Sequence, residues 1–168
     1  HFCEVHGYDD VEMVKPLNTE AHYLNTRYGI THSLWPFGSM RSEFEVHVHG
    51  LGYSYVEVEV LGRGLHTRQL VLPTPLEPGR LRLTIGMSTL PMKSPARLWP
   101  ALGLLPRTLV NGIVQRAGFA TYVADVKKDF DIWQHKAYVD RPMLAQGDGP
   151  VGRYRRWCKQ FYPESAPA

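Results

Sequence analysis

The sequence predicts an α+β domain in which an antiparallel sheet comes first and one long helix follows. Three observations lead there: period-2 alternation through the first half, 3.6-residue periodicity after Pro91, and a length of 168 residues, enough for one domain with its own core.

The strands are read from side-chain alternation. In "EFEVHVHG", Phe44, Val46 and Val48 alternate with Glu45, His47 and His49, as a half-buried strand requires. In "YSYVEVEVLG", Val56, Val58 and Val60 alternate with Tyr55, Glu57 and Glu59, and the intervening Gly50 and Gly52 predict an antiparallel hairpin. "LHTRQLVLP" and "GRLRLTIGMS" repeat the pattern, with the proline-rich "PTPLEPG" expected as the turn between them. "AHYLNTRYGITHSLW" is a weaker strand candidate. Beyond Pro91, Phe119, Tyr122, Val123, Val126, Phe130 and Trp133 recur at helical spacing and predict a helix burying this stripe. A short last helix is expected from Pro150, where "DGP" supplies a turn and a proline at the helix start. A sheet wrapped around the long helix would leave an apolar cavity between them.

Composition excludes several classes. Nineteen basic against sixteen acidic residues give +3, and no basic stripe interleaved with aromatics precedes the C-terminal segment, so no nucleic-acid partner is expected. Cys3 and Cys158 lie almost a chain length apart and suggest no disulfide framework. The most apolar stretch, Leu98 to Val114, is interrupted by Pro100, Pro106 and Arg107 and is too short to span a bilayer. It reads as a core helix with its preceding loop; the alternatives are an element dipping towards lipid or lining the entrance for an apolar substrate. A cytoplasmic location is expected, with peripheral membrane contact as the variant. A chain starting with histidine, without a signal peptide, is expected to be a segment of a longer protein. Near the C-terminus, Arg153, Arg155, Arg156 and Lys159 form a solvated basic face opposite Val151, Tyr154 and Phe161. A weaker reading has them docking an acidic electron-transfer partner.

The opening segment "HFCEVHGY" places His1 and His6 five residues apart. On a regular helix that spacing separates them by roughly 140° and 7.5 Å, poor geometry for one shared ion. The pair works only if the backbone turns, and Gly7 is a suitable place. His47 and His49 share a strand face with Glu45 and are a rival pair on a solvated surface; His22, His32, His66 and His135 are isolated. For a carboxylate ligand the helical wheel is informative. With Val126 at zero, the apolar stripe runs from about −40° to +60° and Asp129 falls near −60°, at its edge. Asp125, near −100°, and Asp131, near 140°, are expected to turn away. A carboxylate facing an interior needs a hydrogen bond, an ion pair or a metal; a solvent-reaching or lysine-paired Asp129 is the plain alternative.

The stretches "HFCEVHGY", "VLPTPLEPGRLRL", "DFDIWQHK" and "DGPVGRYRRWCKQFY" resemble the catalytic part of Rieske-type non-haem iron oxygenases. The likeness is to the branch of 3-ketosteroid 9α-hydroxylase oxygenase components and cholesterol 7-desaturases. It runs from the first residue to about Tyr162 and is diffuse between Asn18 and Leu70. It implies a helix-grip (START-like) domain, with residues 1–168 the catalytic mononuclear-iron domain and the Rieske domain lying outside this segment. It implies Fe(2+) held by His1, His6 and Asp129, with Asp131 acidic but not a ligand. It further implies a [2Fe-2S] Rieske cluster as electron source, fed from NAD(P)H through a separate ferredoxin or flavin reductase. The substrate would be apolar and steroid- or sterol-like, the co-substrate O2, the product an alcohol or an alkene, and the assembly a homotrimer. The alternative from another class is a non-catalytic helix-grip module that carries a sterol or lipid.

Overall fold

A computed structural model describes residues 2–34, 38–145 and 148–162. Six strands form a single antiparallel sheet in chain order: β1 (Asp9–Glu20), β2 (Tyr23–Leu34), β3 (Gly38–His49), β4 (Tyr53–Val60), β5 (Leu65–Glu77) and β6 (Arg80–Thr89). Two short 3-10 turns, Pro95–Arg97 and Pro100–Leu104, lead into α1 (Arg107–Gln134), and α2 (Val151–Cys158) follows. The α+β class is as expected, and the sheet with its long helix is helix-grip-like. No described helix is long and apolar enough to cross a membrane.

The register gives the two faces different chemistry. Phe44, Val46 and Val48 on β3 lie beside Tyr28, Thr26 and Leu24 on β2 and Val58, Val56 and Ser54 on β4, making an apolar inner face. On the outer face Lys15, Arg27, Glu45, Glu57 and Arg68 follow one another across β1 to β5 in register. Two glutamates directly opposite one another would repel. Here Arg27 and Lys15 bind Glu45 while Arg68 binds Glu57. Burial pushes the Glu45 carboxyl up, but hydrogen bonds from Arg27, Lys15 and Asn25 outweigh it and hold the group down to about 2. A carboxyl held below its unfolded value contributes stability fully above about pH 4.5, and this fades as pH falls towards about 2. With Arg27 and Lys15 nearly half exposed and screened by solvent, Glu45→Gln is expected to cost about 1 kcal/mol at pH 7, with the gap closing below about pH 3. Urea melts of both proteins across that range measure it, and a pH-independent gap would contradict it.

His47 and His49 belong to the same outer face. His47 Nδ1 lies 2.6 Å from the Tyr23 hydroxyl and its ring stacks on Tyr55, while His49 packs against Tyr23 and Tyr53. They form an aromatic cluster on the sheet.

Several elements differ from the sequence reading, for physical reasons. β1 has no clear alternation and contains Pro16; it pairs only with β2, an edge position where a missing N–H is tolerated. Pro73 and Pro75 lie inside β5, opposite Leu83 and Leu81, and the turn shrinks to the residues around Gly79, whose φ is +77°. Beyond Val71, β5 has no register with β4, so these prolines leave no ladder donor missing on that side. Trp35, at the end of the β2 candidate, lies outside the described residues.

The face that α1 buries is also rotated from the expected one. Phe119, Phe130 and Trp133 are 37%, 40% and 45% exposed. The helix contacts the protein instead through Asn111, Gln115, Gly118, Tyr122, Asp125 and Asp129, centred near −60° on the same wheel. Asn111 accepts from the Met92 amide, Gln115 donates to the Met87 carbonyl and Tyr122 donates to the Leu70 carbonyl, at 3.0, 2.7 and 3.1 Å. Tyr122 is buried as expected, while Phe119, Phe130 and Trp133 of the expected stripe flank the true contact face.

The Leu98–Val114 segment divides in the same way. Leu98 and Val110 are buried, whereas Leu104 is 88% exposed. Leu104 also precedes the start of α1, roughly 33 Å along the axis from Asp129. Within this chain it does not wall the region around Asp129. Both cysteines are free, Cys3 exposed and Cys158 buried.

Candidate metal centre

The N-terminal segment around His6 is a turn and not a regular helix. The Gly7 amide donates to the Cys3 carbonyl at 3.0 Å and the Tyr8 amide to the Phe2 carbonyl at 3.1 Å. Gly7 takes φ +71°, a left-handed conformation that a side chain would strain, so the chain reverses where the sequence suggested. Phe2 anchors this turn to the inner sheet face: its ring lies 5.4 Å from Phe44, 5.9 Å from Tyr28 and 6.3 Å from Tyr8.

This seating points His6 at α1. Its Nε2 lies 3.3 Å from Asp129 Oδ1 and its Nδ1 lies 2.9 Å from Asp125 Oδ1. The imidazole is 7% exposed and the Asp129 side chain 12%. Asp125 and Asp129 are one turn apart on the helix, so both carboxylates face one ring. Tyr8 donates to Asp125 Oδ2 at 2.6 Å, and Lys128 donates to Oδ1 at 3.1 Å. Burial pushes the Asp125 carboxyl up, yet hydrogen bonds from Tyr8, His6 and Lys128 outweigh it and hold it below its ordinary value. Burial, with Asp125 beside it, raises the Tyr8 phenol well above the usual range, so the hydroxyl stays a donor. Burial lowers His32, whose ring lies 6.0 Å from Tyr8.

Of the three expected ligands, His6 and Asp129 therefore face each other, and His1 lies outside the described residues. Among the described residues no three His, Cys, Asp or Glu side chains come together as a ready-made metal cluster. Asp131 is exposed, as expected. Asp125 is not turned away: it contacts His6, because the buried face of α1 is rotated towards it. Sequence reasoning missed Tyr8 altogether. The signal for Asp125 was present, since Asn111, Gln115, Gly118, Tyr122, Asp125 and Asp129 step by four and three residues like any helical stripe, but in polar and small residues.

The two described donors fit a divalent iron site chemically. An imidazole nitrogen and a carboxylate oxygen are ligands of the two-histidine, one-carboxylate type. Two atoms each about 2.1 Å from one ion and roughly at right angles stand about 3 Å apart; His6 Nε2 and Asp129 Oδ1 are 3.3 Å apart. Asp125 does not compete, because Tyr8, Lys128 and His6 already occupy its oxygens.

Comparison with known proteins gives the family of the chain. The family model of the 3-ketosteroid 9α-hydroxylase C-terminal domain matches residues 1–162. Cholesterol 7-desaturase of Caenorhabditis elegans is 44% identical over 41 residues, 24% of this chain and 10% of that protein. A 3-ketosteroid-9-alpha-monooxygenase oxygenase component of Rhodococcus rhodochrous is 42% identical over 53 residues, 29% of this chain and 14% of its own. Cholesterol 7-desaturase nvd 2 of Ciona intestinalis is 26% identical over 126 residues, 74% of this chain and 24% of that protein. The chain thus spans a quarter or less of the curated relatives it matches. On the family match, which covers nearly all its residues, the chain belongs to the 3-ketosteroid 9α-hydroxylase C-terminal domain family.

Proposed function

We propose that this chain is the mononuclear-iron catalytic domain of an oxygenase, a hydroxylase or desaturase, acting on a steroid- or sterol-like apolar substrate. The observation that carries the reading is the buried opposition of His6 Nε2 and Asp129 Oδ1 across 3.3 Å. His1, His6 and Asp129 would hold Fe(2+), which supplies the activation of O2 with electrons from a [2Fe-2S] Rieske cluster fed from NAD(P)H through a separate reductase. A homotrimer would bring a neighbouring subunit's cluster to this site.

The chain's own residues contribute position and exclusion of water. Phe2, Tyr28 and Phe44 cover one side of the His6 turn with aromatic carbon, and a site oxidising an unactivated C–H bond needs such dryness. The inner-face valines of β3 and β4 supply the apolar wall a sterol-like molecule requires. A sterol-carrying module would use the same wall but has no need of two carboxylates on one buried imidazole.

Metal analysis tests the reading. Full-length protein reconstituted anaerobically with iron(II) is expected to retain about one iron beyond any cluster iron, and His6→Ala to lose that iron while keeping the fold. A native protein retaining no such iron would favour the carrier reading instead.

A further inference from the structure

We infer that Asp125 and Tyr8 are a positioning pair that fixes both the orientation and the tautomer of the His6 imidazole, so that Nε2 is the nitrogen presented beside Asp129; this rests on the metal reading above. A neutral imidazole carries its proton on either nitrogen, and only the other has a lone pair for a metal. An ionised carboxylate accepts and cannot donate. Asp125 Oδ1, 2.9 Å from Nδ1, is placed to accept the Nδ1 proton of a metal-bound His6 and so leave the Nε2 lone pair to an ion beside Asp129.

The rest of the arrangement stops either partner from turning. Tyr8 stacks on His6, ring centres 5.5 Å apart and 18° from parallel, while its hydroxyl donates to Asp125 Oδ2 at 2.6 Å. Tyr8 thus holds the ring through its face and the carboxylate through its oxygen. Gly7, in its left-handed conformation, folds Tyr8 back over a residue only two positions earlier. Lys128 donates to Oδ1, the oxygen that also faces His6, so the carboxylate is pinned by groups from the turn and from its own helix. Asp125 and Asp129 sit four residues apart on α1, which sets orienter and ligand at a fixed spacing along one rigid element. Partners of this kind act on affinity through the ligand they hold and cost about 10–100-fold when removed.

The test uses Co(II) as probe on the full-length protein, followed by its visible absorption bands, with thermal melting of each variant as the folding control. Asp125→Ala is expected to weaken Co(II) binding by about 10–100-fold and change the band pattern. Asp125→Asn keeps an acceptor oxygen for Nδ1 and should recover to within about tenfold of native, which also covers the case in which the alanine variant does not fold. Tyr8→Phe should weaken binding less and add nothing on top of Asp125→Ala, because Tyr8 acts through Asp125. Native affinity and spectrum in Asp125→Ala, or fully additive losses for the two substitutions, would overturn the positioning role while leaving the metal site intact. Failure of the native protein to bind Co(II) would overturn the metal reading, and this pair with it.

Discussion

Asp129→Ala is expected to abolish iron retention and turnover in the full-length enzyme, while Asp131→Ala leaves both near native. The two aspartates are two residues apart, so composition and overall charge change equally. Their settings differ: Asp129 is buried with Oδ1 facing His6 Nε2, whereas Asp131 is exposed. Removing a ligand also removes the stabilisation that binding confers on the native state. At one hundred times the dissociation constant that stabilisation is about 2.7 kcal/mol, or roughly 5–10 °C for a chain of this size. Adding Co(II) should therefore raise the melting temperature of the native protein and of Asp131→Ala, and leave that of Asp129→Ala unmoved. Without metal, Asp129→Ala should melt within a few degrees of native. The deletion removes the buried member of two neighbouring carboxylates and leaves His6 still bonded to Asp125. Equal iron content in the two aspartate variants would refute the assignment.

What the sequence revealed depended on whether hydrophobicity or hydrogen bonding shapes each element. β3 and β4 were legible because one face is apolar and the other charged, so alternation alone fixes strand and register. β1 was illegible because an edge strand with Pro16 needs neither alternation nor a full ladder. α1 was legible as a helix and Tyr122 as one of its buried residues, but its orientation was misread by assigning Phe119, Phe130 and Trp133 to the interior as well. Asn111, Gln115 and Tyr122 satisfy sheet carbonyls and a loop amide, so the contact face of α1 carries polar groups while Phe119 and Trp133 remain exposed. That rotation explains why Asp129 was found at the margin of the expected stripe and Asp125 was placed outside it. The His6 turn was foreseeable from Gly7. Its clamp was not, since the contact between Tyr8 and Asp125 spans 117 residues and leaves no local pattern.

Trp157→Ala is expected to cost about 4 kcal/mol, the largest loss among single substitutions outside the metal centre. Trp157 is 7% exposed, clusters with Leu17, Leu24 and Cys158, and meets Phe161 edge to face at 4.9 Å. Its indole N–H also donates to the Ala21 carbonyl at 2.8 Å. That bond matters because Ala21 closes the β1–β2 hairpin with φ +46°, a conformation costly for any residue bearing a Cβ. Gln160 donates to the same carbonyl at 3.0 Å, so α2 and the residues after it hold a strained turn in place. β1 has the least support of its own, with three irregularities in its register to β2, and it begins one residue after Tyr8. Losing Trp157 should therefore free α2 and fray β1 before the rest of the sheet opens. Hydrogen exchange should show early loss of protection across β1, with β3 and β4 retaining theirs to the global unfolding limit. Arg156→Ala, one residue earlier and exposed, should change stability by less than about 0.5 kcal/mol. If Trp157→Ala melts within 2 °C of native or loses protection uniformly over all six strands, α2 does not anchor the hairpin, and the hold on the His6 turn must come from Phe2 and its aromatic neighbours alone.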